Sequence, residues 1–233
     1  MARAGDPDAA MQQIALDIGL RTPPTLDNYF PGPNAAALAH LQQWLHARSD
    51  GAPTYVWGPE GSGKSHLLQA AVAALRAQGH SVGCLNAETQ APVAFDESWA
   101  AVVMDDVHLY GDALQHTAFS WFVQAHTLQR PVLAAGRPAP VNLALREDLR
   151  TRLGWGHVLG LQLLDEAQSR AVLRQAADAR GLVLSDEVMD FTLRRFSRDL
   201  GSLMQLLDGL DRYALQTQRL LTIPLVKSML ENA

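Results

Sequence analysis

The chain has 233 residues, of which 19 are Lys or Arg and 24 are Asp or Glu, so its formal net charge is -5. This acidic balance argues against a protein whose main task is to coat nucleic acid. The single cysteine, Cys84, excludes an internal disulfide framework and a multi-cysteine zinc site. No apolar run reaches the roughly 18 residues of a membrane span, and the first ten residues lack a secretion signal pattern. We therefore expect a folded, soluble protein located in the cytoplasm.

The first part of the chain has few signs of regular structure. We expect residues 1–22 to form a flexible arm, because the apolar patch there is followed by prolines that disfavour long helices and strands. These prolines are Pro23, Pro24, Pro31 and Pro33. Residues 35–48 then have helical spacing, with Leu38, Leu41 and Leu45 on one face.

Strand and helix patterns alternate from there to about residue 162. Short β-prone runs predict strands at residues 54–57, 81–85, 101–104, 132–135 and 157–161. Helical spacing predicts helices at residues 65–78 and 115–128. Alternation of this kind is typical of right-handed crossovers, and it predicts a parallel sheet with helices on both faces. Cys84, near the end of the second strand, is expected to be a small core residue.

Beyond residue 163 the pattern is helical only. The capping residues Asp165 and Ser185, with the terminating Gly181, predict two helices. Two further helices are expected over residues 199–216 and from Thr222 onward. The expected units are an arm at 1–22, an α/β nucleotide-binding domain at 23–162 and a helical domain at 163–233.

A phosphate-binding pattern follows the first predicted strand. Residues 58–65 read GPEGSGKS, which matches G-x-x-x-x-G-K-[ST]. Glycines let successive N–H groups face the phosphates, Lys64 would reach the terminal phosphates, and Ser65 would ligate Mg²⁺. The chain contains only two lysines, so few matches are expected by chance. The alternative is a glycine-rich turn that closes a strand. We favour a site for ADP or ATP with Mg²⁺, formed by Gly58, Pro59, Glu60, Gly61, Ser62, Gly63, Lys64 and Ser65.

An acidic pair follows the third predicted strand in the sequence VVMDDVH. Asp105 would hold the Mg²⁺ through water, and Asp106 would act as general base toward the attacking water. The alternative is a capping or surface pair of aspartates. A phosphate-binding loop elsewhere in the same chain favours the catalytic interpretation.

These motifs and their order resemble a known family. The segments TLDNYFPGPN, GPEGSGKS, VVMDDVH, RTRLGWG and LTIPLVK are similar to those of the AAA+ ATPase domain of the bacterial replication initiator DnaA and its relatives. The resemblance runs from about residue 25 to the C-terminus. It implies an AAA+ P-loop NTPase, with a parallel five-stranded sheet flanked by helices and a small C-terminal helical lid.

Within that family, two features look more like the Hda proteins, which inactivate DnaA. We expect no basic helix-turn-helix domain after the lid, since the sequence given stops there. The N-terminal QIALDI resembles the peptide by which such proteins dock on the replication sliding clamp, the β subunit. Gln13 would be its polar anchor, and Leu16 and Ile18 would enter an apolar pocket. The alternative is an arm packed on the domain's own surface.

The segment RTRLGWG carries a further implication of the resemblance. In this family the corresponding arginine, Arg152 here, is a finger that reaches the ATP site of a neighbouring subunit. Arg146 and Arg150 lie close in sequence, so a solvated basic face is the alternative. We expect Trp155 to pack against the loop that carries the finger.

The chain also departs from the family pattern. Where a polar sensor usually follows the fourth strand, LAAGR places Ala134, Ala135 and Gly136. The second sensor arginine would fall near Gly201, and Arg198 lies one helical turn earlier. We therefore expect weak intrinsic ATPase activity and a bound nucleotide, ADP, whose main role is to fix the angle between base and lid.

The resemblance implies a negative regulator of replication initiation, associated with the replisome. It would dock on the DNA-loaded clamp and use Arg152 to stimulate hydrolysis of DnaA-bound ATP, contacting DNA only through the clamp. One alternative is a helicase-loader-like AAA+ adaptor that binds single-stranded DNA and the replicative helicase. Another is a P-loop small-molecule kinase. The sequence excludes a membrane partner and leaves a monomer and a homodimer both open.

Overall fold

The computed structural model describes residues 23–46, 52–196, 200–217 and 222–231. The expected arm at residues 1–22, with its clamp-docking peptide, lies outside the described residues. Within these ranges, no helix has the length and apolar character needed to cross a membrane.

A five-stranded sheet forms the centre of the molecule. Its strands are β1 (Thr54–Trp57), β2 (Val82–Leu85), β3 (Ala101–Met104), β4 (Val132–Gly136) and β5 (His157–Gly160). The order across the sheet is β2-β3-β4-β1-β5, and every neighbouring pair is parallel. The predicted parallel five-stranded sheet is thus confirmed. Because β1, β3 and β4 are neighbours, the loops after their carboxyl ends meet at one edge.

Helices cover both faces of this sheet. They are α1 (Ala35–His46), α2 (Lys64–Ala77), α3 (Asp112–Thr127) and α4 (Glu147–Trp155). Successive strand residues point to opposite faces, so Tyr55 packs in the core with α3 and α4 while Val56 packs with α1 and α2. The two faces are therefore buried under different helix pairs, as a parallel sheet requires.

The C-terminal part is a helical unit with a core of its own. Its helices are α5 (Glu166–Ala179), α6 (Asp186–Phe196), α7 (Leu200–Thr217) and α8 (Ile223–Glu231). The Asp165 side chain caps α5 by accepting a hydrogen bond from the Gln168 N–H. In return, the Gln168 side-chain oxygen accepts one from the Asp165 N–H. Gly181, at φ +69°, lies in the turn after α5. Leucines of α5, α6 and α7 form this third core with Val226 of α8.

Two local expectations are wrong. The finger segment is not a loop but the last part of α4, because Leu149 and Leu153 share a buried face at helical spacing. Trp155 is 61% exposed, and its ring lies 5.6 Å from that of His126 in α3. Cys84 is exposed, and it lies in β2, an edge strand of the sheet.

Candidate functional site

The phosphate-binding pattern forms a tight loop between β1 and α2. Gly61 and Gly63 have φ of +78° and +90°, a backbone region in which side chains are strained. A Cβ on Gly63 would also lie only 2.8 Å from the Tyr29 ring. Gly63 is the N-cap of α2 and provides no side-chain cap, so the N–H groups of the first turn remain available to an anion.

Lys64, the first residue of α2, is folded over this loop. Its ammonium donates to the carbonyl oxygens of Gly58 at 2.9 Å and Pro59 at 2.8 Å, and the residue is only 7% exposed. Burial lowers the pKa of Lys64, and the negative charges of Asp106 and Asp105 oppose this shift. Two neutral carbonyls compensate a buried cation weakly, so a phosphate oxygen would be a stronger acceptor.

The acidic pair lies beside the start of α2. Asp105 follows the carboxyl end of β3, and a hydrogen bond joins it to the Ser65 side chain. Burial raises the pKa of Asp105 and the charge of Asp106 adds to this, while the bond to Ser65 lowers it. Asp106 has a left-handed backbone, with φ 51° and ψ 41°, that turns the chain away from the strand. A hydroxyl beside a carboxylate suits Mg²⁺, which takes a few protein oxygens together with phosphate oxygens.

Arg137 and Glu60 form a contact at this edge that the sequence patterns did not predict. Arg137 directly follows β4, and its guanidinium donates to Glu60 Oε2 across the loop at 2.5 Å. The Arg137 N–H donates to His108 Nδ1, and its carbonyl accepts from the Gly58 N–H. The available signal was an arginine directly after a buried strand; its partner 77 residues away could not be read from the sequence.

The segment TLDNYFPGPN lies against the same loop. The Tyr29 hydroxyl donates to the Ser62 carbonyl at 3.4 Å, and His66 contacts the Thr25 carbonyl at 3.1 Å. Asn34 exchanges two hydrogen bonds with the backbone of Gln162, at the end of the sheet domain. The segment therefore connects the phosphate-binding loop to the start of the helical unit.

Sterics explain the missing polar sensor. Ala134 and Ala135 are fully buried in β4, and a Cβ on Gly136 would collide with the Tyr55 hydroxyl. Any polar side chain at these positions would thus displace the core. Of the second sensor, Gly201 is the second residue of α7, and Arg198 lies outside the described residues.

Arg152 lies away from the phosphate-binding loop of its own chain. It is in the last turn of α4, and the chain continues through Gly156 to His157, whose N–H donates to the Pro53 carbonyl before β1. The phosphate-binding loop instead follows the other end of β1. The guanidinium carbon of Arg152 lies 5.3 Å from the Phe119 ring centroid and 5.7 Å from that of Phe122.

The remaining predicted site residues fall outside the described part of the chain. These are the docking residues Gln13, Leu16 and Ile18. The structure thus brings together the loop residues, Lys64, Ser65 and the acidic pair, and it separates Arg152 from them.

Comparison with known proteins identifies the architecture. Residues 165–230 match the family model described as the lid domain of Hda. Domain III of the replication initiation protein DnaA from Thermotoga maritima is similar with a TM-score of 0.75 at 20% identity, over 89% of this chain and 95% of that one. The chain is therefore similar to Hda over its C-terminal helical unit, and it has the AAA+ fold of DnaA.

Two further solved structures share the AAA+ fold. AMPPCP-bound DnaA from Aquifex aeolicus is similar with a TM-score of 0.66 at 22% identity, over 84% of this chain and 69% of that one. The RuvB Holliday junction branch migration motor of Thermotoga maritima has a TM-score of 0.63 at 16% identity, over 90% of this chain and 72% of that one. At these identities the likeness shows the fold, and α5 to α8 carry the specific match to Hda.

Proposed function

We propose that this protein is a negative regulator of replication initiation, which supplies Arg152 to ATP bound on DnaA. The observation that carries the proposal is the position of Arg152 toward the edge of the sheet opposite its own phosphate-binding loop. A phosphate that Arg152 contacts therefore belongs to a second molecule. The Hda-type lid and the DnaA-like core support DnaA as that molecule.

The chemistry of Arg152 is electrostatic. A guanidinium placed against the γ-phosphate neutralises the charge that develops during hydrolysis, and such fingers contribute about 10³–10⁵ in rate. The Phe119 and Phe122 rings lie 5.3 and 5.7 Å from the Arg152 guanidinium carbon, and this cation–π contact restricts the side chain before it meets a phosphate. Arg146 lies over the same Phe119 ring, and its guanidinium is paired there with Asp148 at 2.7 Å.

The protein would bind its own adenine nucleotide at Gly58–Ser65. Lys64 and the first turn of α2 would hold the phosphates, Ser65 and Asp105 would hold Mg²⁺, and Asp106 would act as general base. The AMPPCP-bound state of the similar DnaA supports an adenine nucleotide. The apolar packing around Gly136 leaves little room for a polar sensor, which supports slow intrinsic hydrolysis.

This nucleotide would be structural. Tyr29 contacts the loop at Ser62, and Asn34 in turn contacts both Tyr29 and Gln162 just before the lid. Phosphates that reposition the loop would therefore act on the junction with α5. In this way ADP or ATP would set the angle between base and lid.

Tethering to the sliding clamp would confine the reaction to DNA already engaged in replication. Gln13, Leu16 and Ile18 would supply one polar anchor and two apolar side chains, a pattern suited to a pocket on a partner. The tether raises the effective concentration of Arg152 near DnaA without adding contacts to the finger itself.

Single-turnover hydrolysis of ATP preloaded on DnaA tests this proposal. We expect acceleration with the protein and DNA-loaded clamp together, and none when either is omitted. Arg152→Ala should remove the acceleration and keep clamp binding, while Gln13→Ala should weaken clamp binding. Arg150→Ala is the matched control, because Arg150 lies on the same helix but lines a separate groove with Val141 and Val158.

Two outcomes would count against the proposal. Full acceleration by Arg152→Ala would exclude Arg152 as the finger. Clamp binding without any acceleration by the wild-type protein would exclude action on DnaA-bound ATP, and would favour an adaptor for the replicative helicase.

A further inference from the structure

Both backbone polar groups of Arg137, the N–H and the carbonyl, form hydrogen bonds. Its N–H donates to His108 Nδ1 at 3.3 Å, in the turn after the acidic pair, and its carbonyl accepts from the Gly58 N–H at 3.2 Å. Since β4 lies beside β1, this residue emerges next to the phosphate-binding loop. The guanidinium is therefore presented at the loop by a rigid element rather than by a mobile one.

The partner of this guanidinium is Glu60, inside the loop itself. A single N–H of Arg137 donates to Glu60 Oε2, and the two side chains are 57% and 83% exposed. Ion pairs of such exposure contribute little net stability, because water competes for both charges. A more highly charged acceptor nearby would take the guanidinium from Glu60.

The charges of this pair reach the residue that would bind the terminal phosphates. Burial is the main cause that lowers the pKa of Lys64, but the positive charge of Arg137 also lowers it and the negative charge of Glu60 raises it. An anion bound to the Lys64 ammonium would thus lie in the field of both side chains. Attraction to Arg137 and repulsion from Glu60 would act on it together.

We propose that Arg137 senses the terminal phosphate of the nucleotide, remaining on Glu60 when ADP is bound and moving to the γ-phosphate when ATP is bound. This inference rests on the proposed nucleotide binding at Lys64. A planar guanidinium can bind phosphate oxygens through two parallel N–H groups, whereas Glu60 receives one. Glu60 is then a competitor that reduces the preference for ATP.

The position of Arg137 explains how the chain manages without a polar sensor inside β4. Ala134 and Ala135 are buried, and Gly136 has no room for a side chain. Arg137 is the first residue of this segment whose side chain reaches solvent at the loop. The Arg137 guanidinium is exposed and paired with Glu60, so it discriminates only moderately between nucleotides. Substitution of either Arg137 or Glu60 should change this discrimination.

Equilibrium binding of AMPPCP and ADP at constant Mg²⁺ tests the inference. We expect Arg137→Ala to weaken AMPPCP about tenfold and ADP by less than about twofold, because only AMPPCP carries the third phosphoryl group. Glu60→Gln should tighten AMPPCP about two- to fivefold more than it tightens ADP. Arg137→Lys keeps the charge without the planar fork, so its AMPPCP affinity should be intermediate.

Arg174→Ala is the matched control. It breaks the Arg174–Asp186 pair, which lies in the lid with a contact of 2.7 Å and side chains 52% and 77% exposed. Its affinities should equal those of the wild type. If Arg137→Ala leaves both affinities unchanged, or lowers both by the same factor, Arg137 is not a sensor, although nucleotide binding itself stands. Failure of the wild-type protein to bind either nucleotide would overturn the proposed function as well.

Discussion

The charged side chains at the two edges of the central sheet differ in how far they are buried. At the carboxyl edge, Lys64 is buried and Asp105 is partly buried, and burial shifts the pKa of each toward the neutral form. Toward the amino edge, Arg152 lies half-buried against Phe119 and Phe122 on the outside of the domain. The first arrangement is suited to a ligand that brings an anion to Lys64 and a cation to Asp105. The second leaves a cation partly in water, where contact with another molecule would cost little desolvation.

The largest effect is expected at the carboxyl edge, from Lys64→Ala. Loss of the ammonium removes charge-assisted hydrogen bonds to the phosphates, so nucleotide affinity should fall about 100-fold. Isothermal titration with ADP measures this. The control is Lys227→Ala, which removes the other lysine, packed over the Phe191 ring in the lid. Equal losses in both variants would show that the site is elsewhere.

Gly63→Ala should damage the same edge through packing. Gly63 and Gly79 both have positive φ, of +90° and +83°, but only Gly63 has Tyr29 where a Cβ would be placed. Gly79→Ala should therefore cost only the backbone strain, about 1 kcal/mol of unfolding free energy. Gly63→Ala should cost about 2–3 kcal/mol, because the ring must also move. Urea denaturation compares the two, and equal costs would contradict the contact with Tyr29.

Asp105→Asn should stabilise the nucleotide-free protein. Because the folded pKa of Asp105 is raised above its ordinary 3.8, the stability from its bound proton is fully present below that value and is lost as pH rises through the folded pKa. At neutral pH the ionised carboxylate is therefore unfavourable, and a neutral amide should add about 1 kcal/mol.

Denaturation at two pH values checks this sign. The advantage of Asp105→Asn should be present at pH 7 and shrink near pH 4, where the wild-type carboxyl gains its proton. A less stable variant at pH 7 would mean that attraction to Lys64 outweighs burial. Mg²⁺-dependent tightening of nucleotide binding should be lost in the same variant.

The smallest effect is expected toward the amino edge, from Phe119→Leu. The ring lies under Arg146 and Arg152, at 4.9 and 5.3 Å from their guanidinium carbons, and such contacts contribute about 0.5–1 kcal/mol at partly exposed sites. Urea denaturation should show a loss of this size, and nucleotide affinity should not change. In an Arg152→Ala background the loss should be smaller, and an unchanged loss would exclude coupling between the two side chains.

Local sequence patterns carried much of the fold. Strands β1 and β3 have the predicted bounds, because short buried β-branched runs between turn signals leave few alternatives. Helix α4 was missed because its nine residues include two arginines and two acidic residues, which hide the Leu149–Leu153 spacing. Cys84 was misplaced for a different reason, since nothing within β2 indicates that it is an edge strand.

The sequence by itself determined the phosphate-binding loop, the acidic pair, the alternation of strands and helices, and the helical C-terminal unit. Each of these depends on residues close together in the chain, where glycine geometry, helix caps and periodicity act locally. Tertiary structure alone decided which groups meet. The Arg137–Glu60 pair joins residues 77 apart, and the Asn34–Gln162 bonds join residues 128 apart. Such contacts follow from the strand order β2-β3-β4-β1-β5, which is set by packing across the whole sheet and is absent from any local pattern.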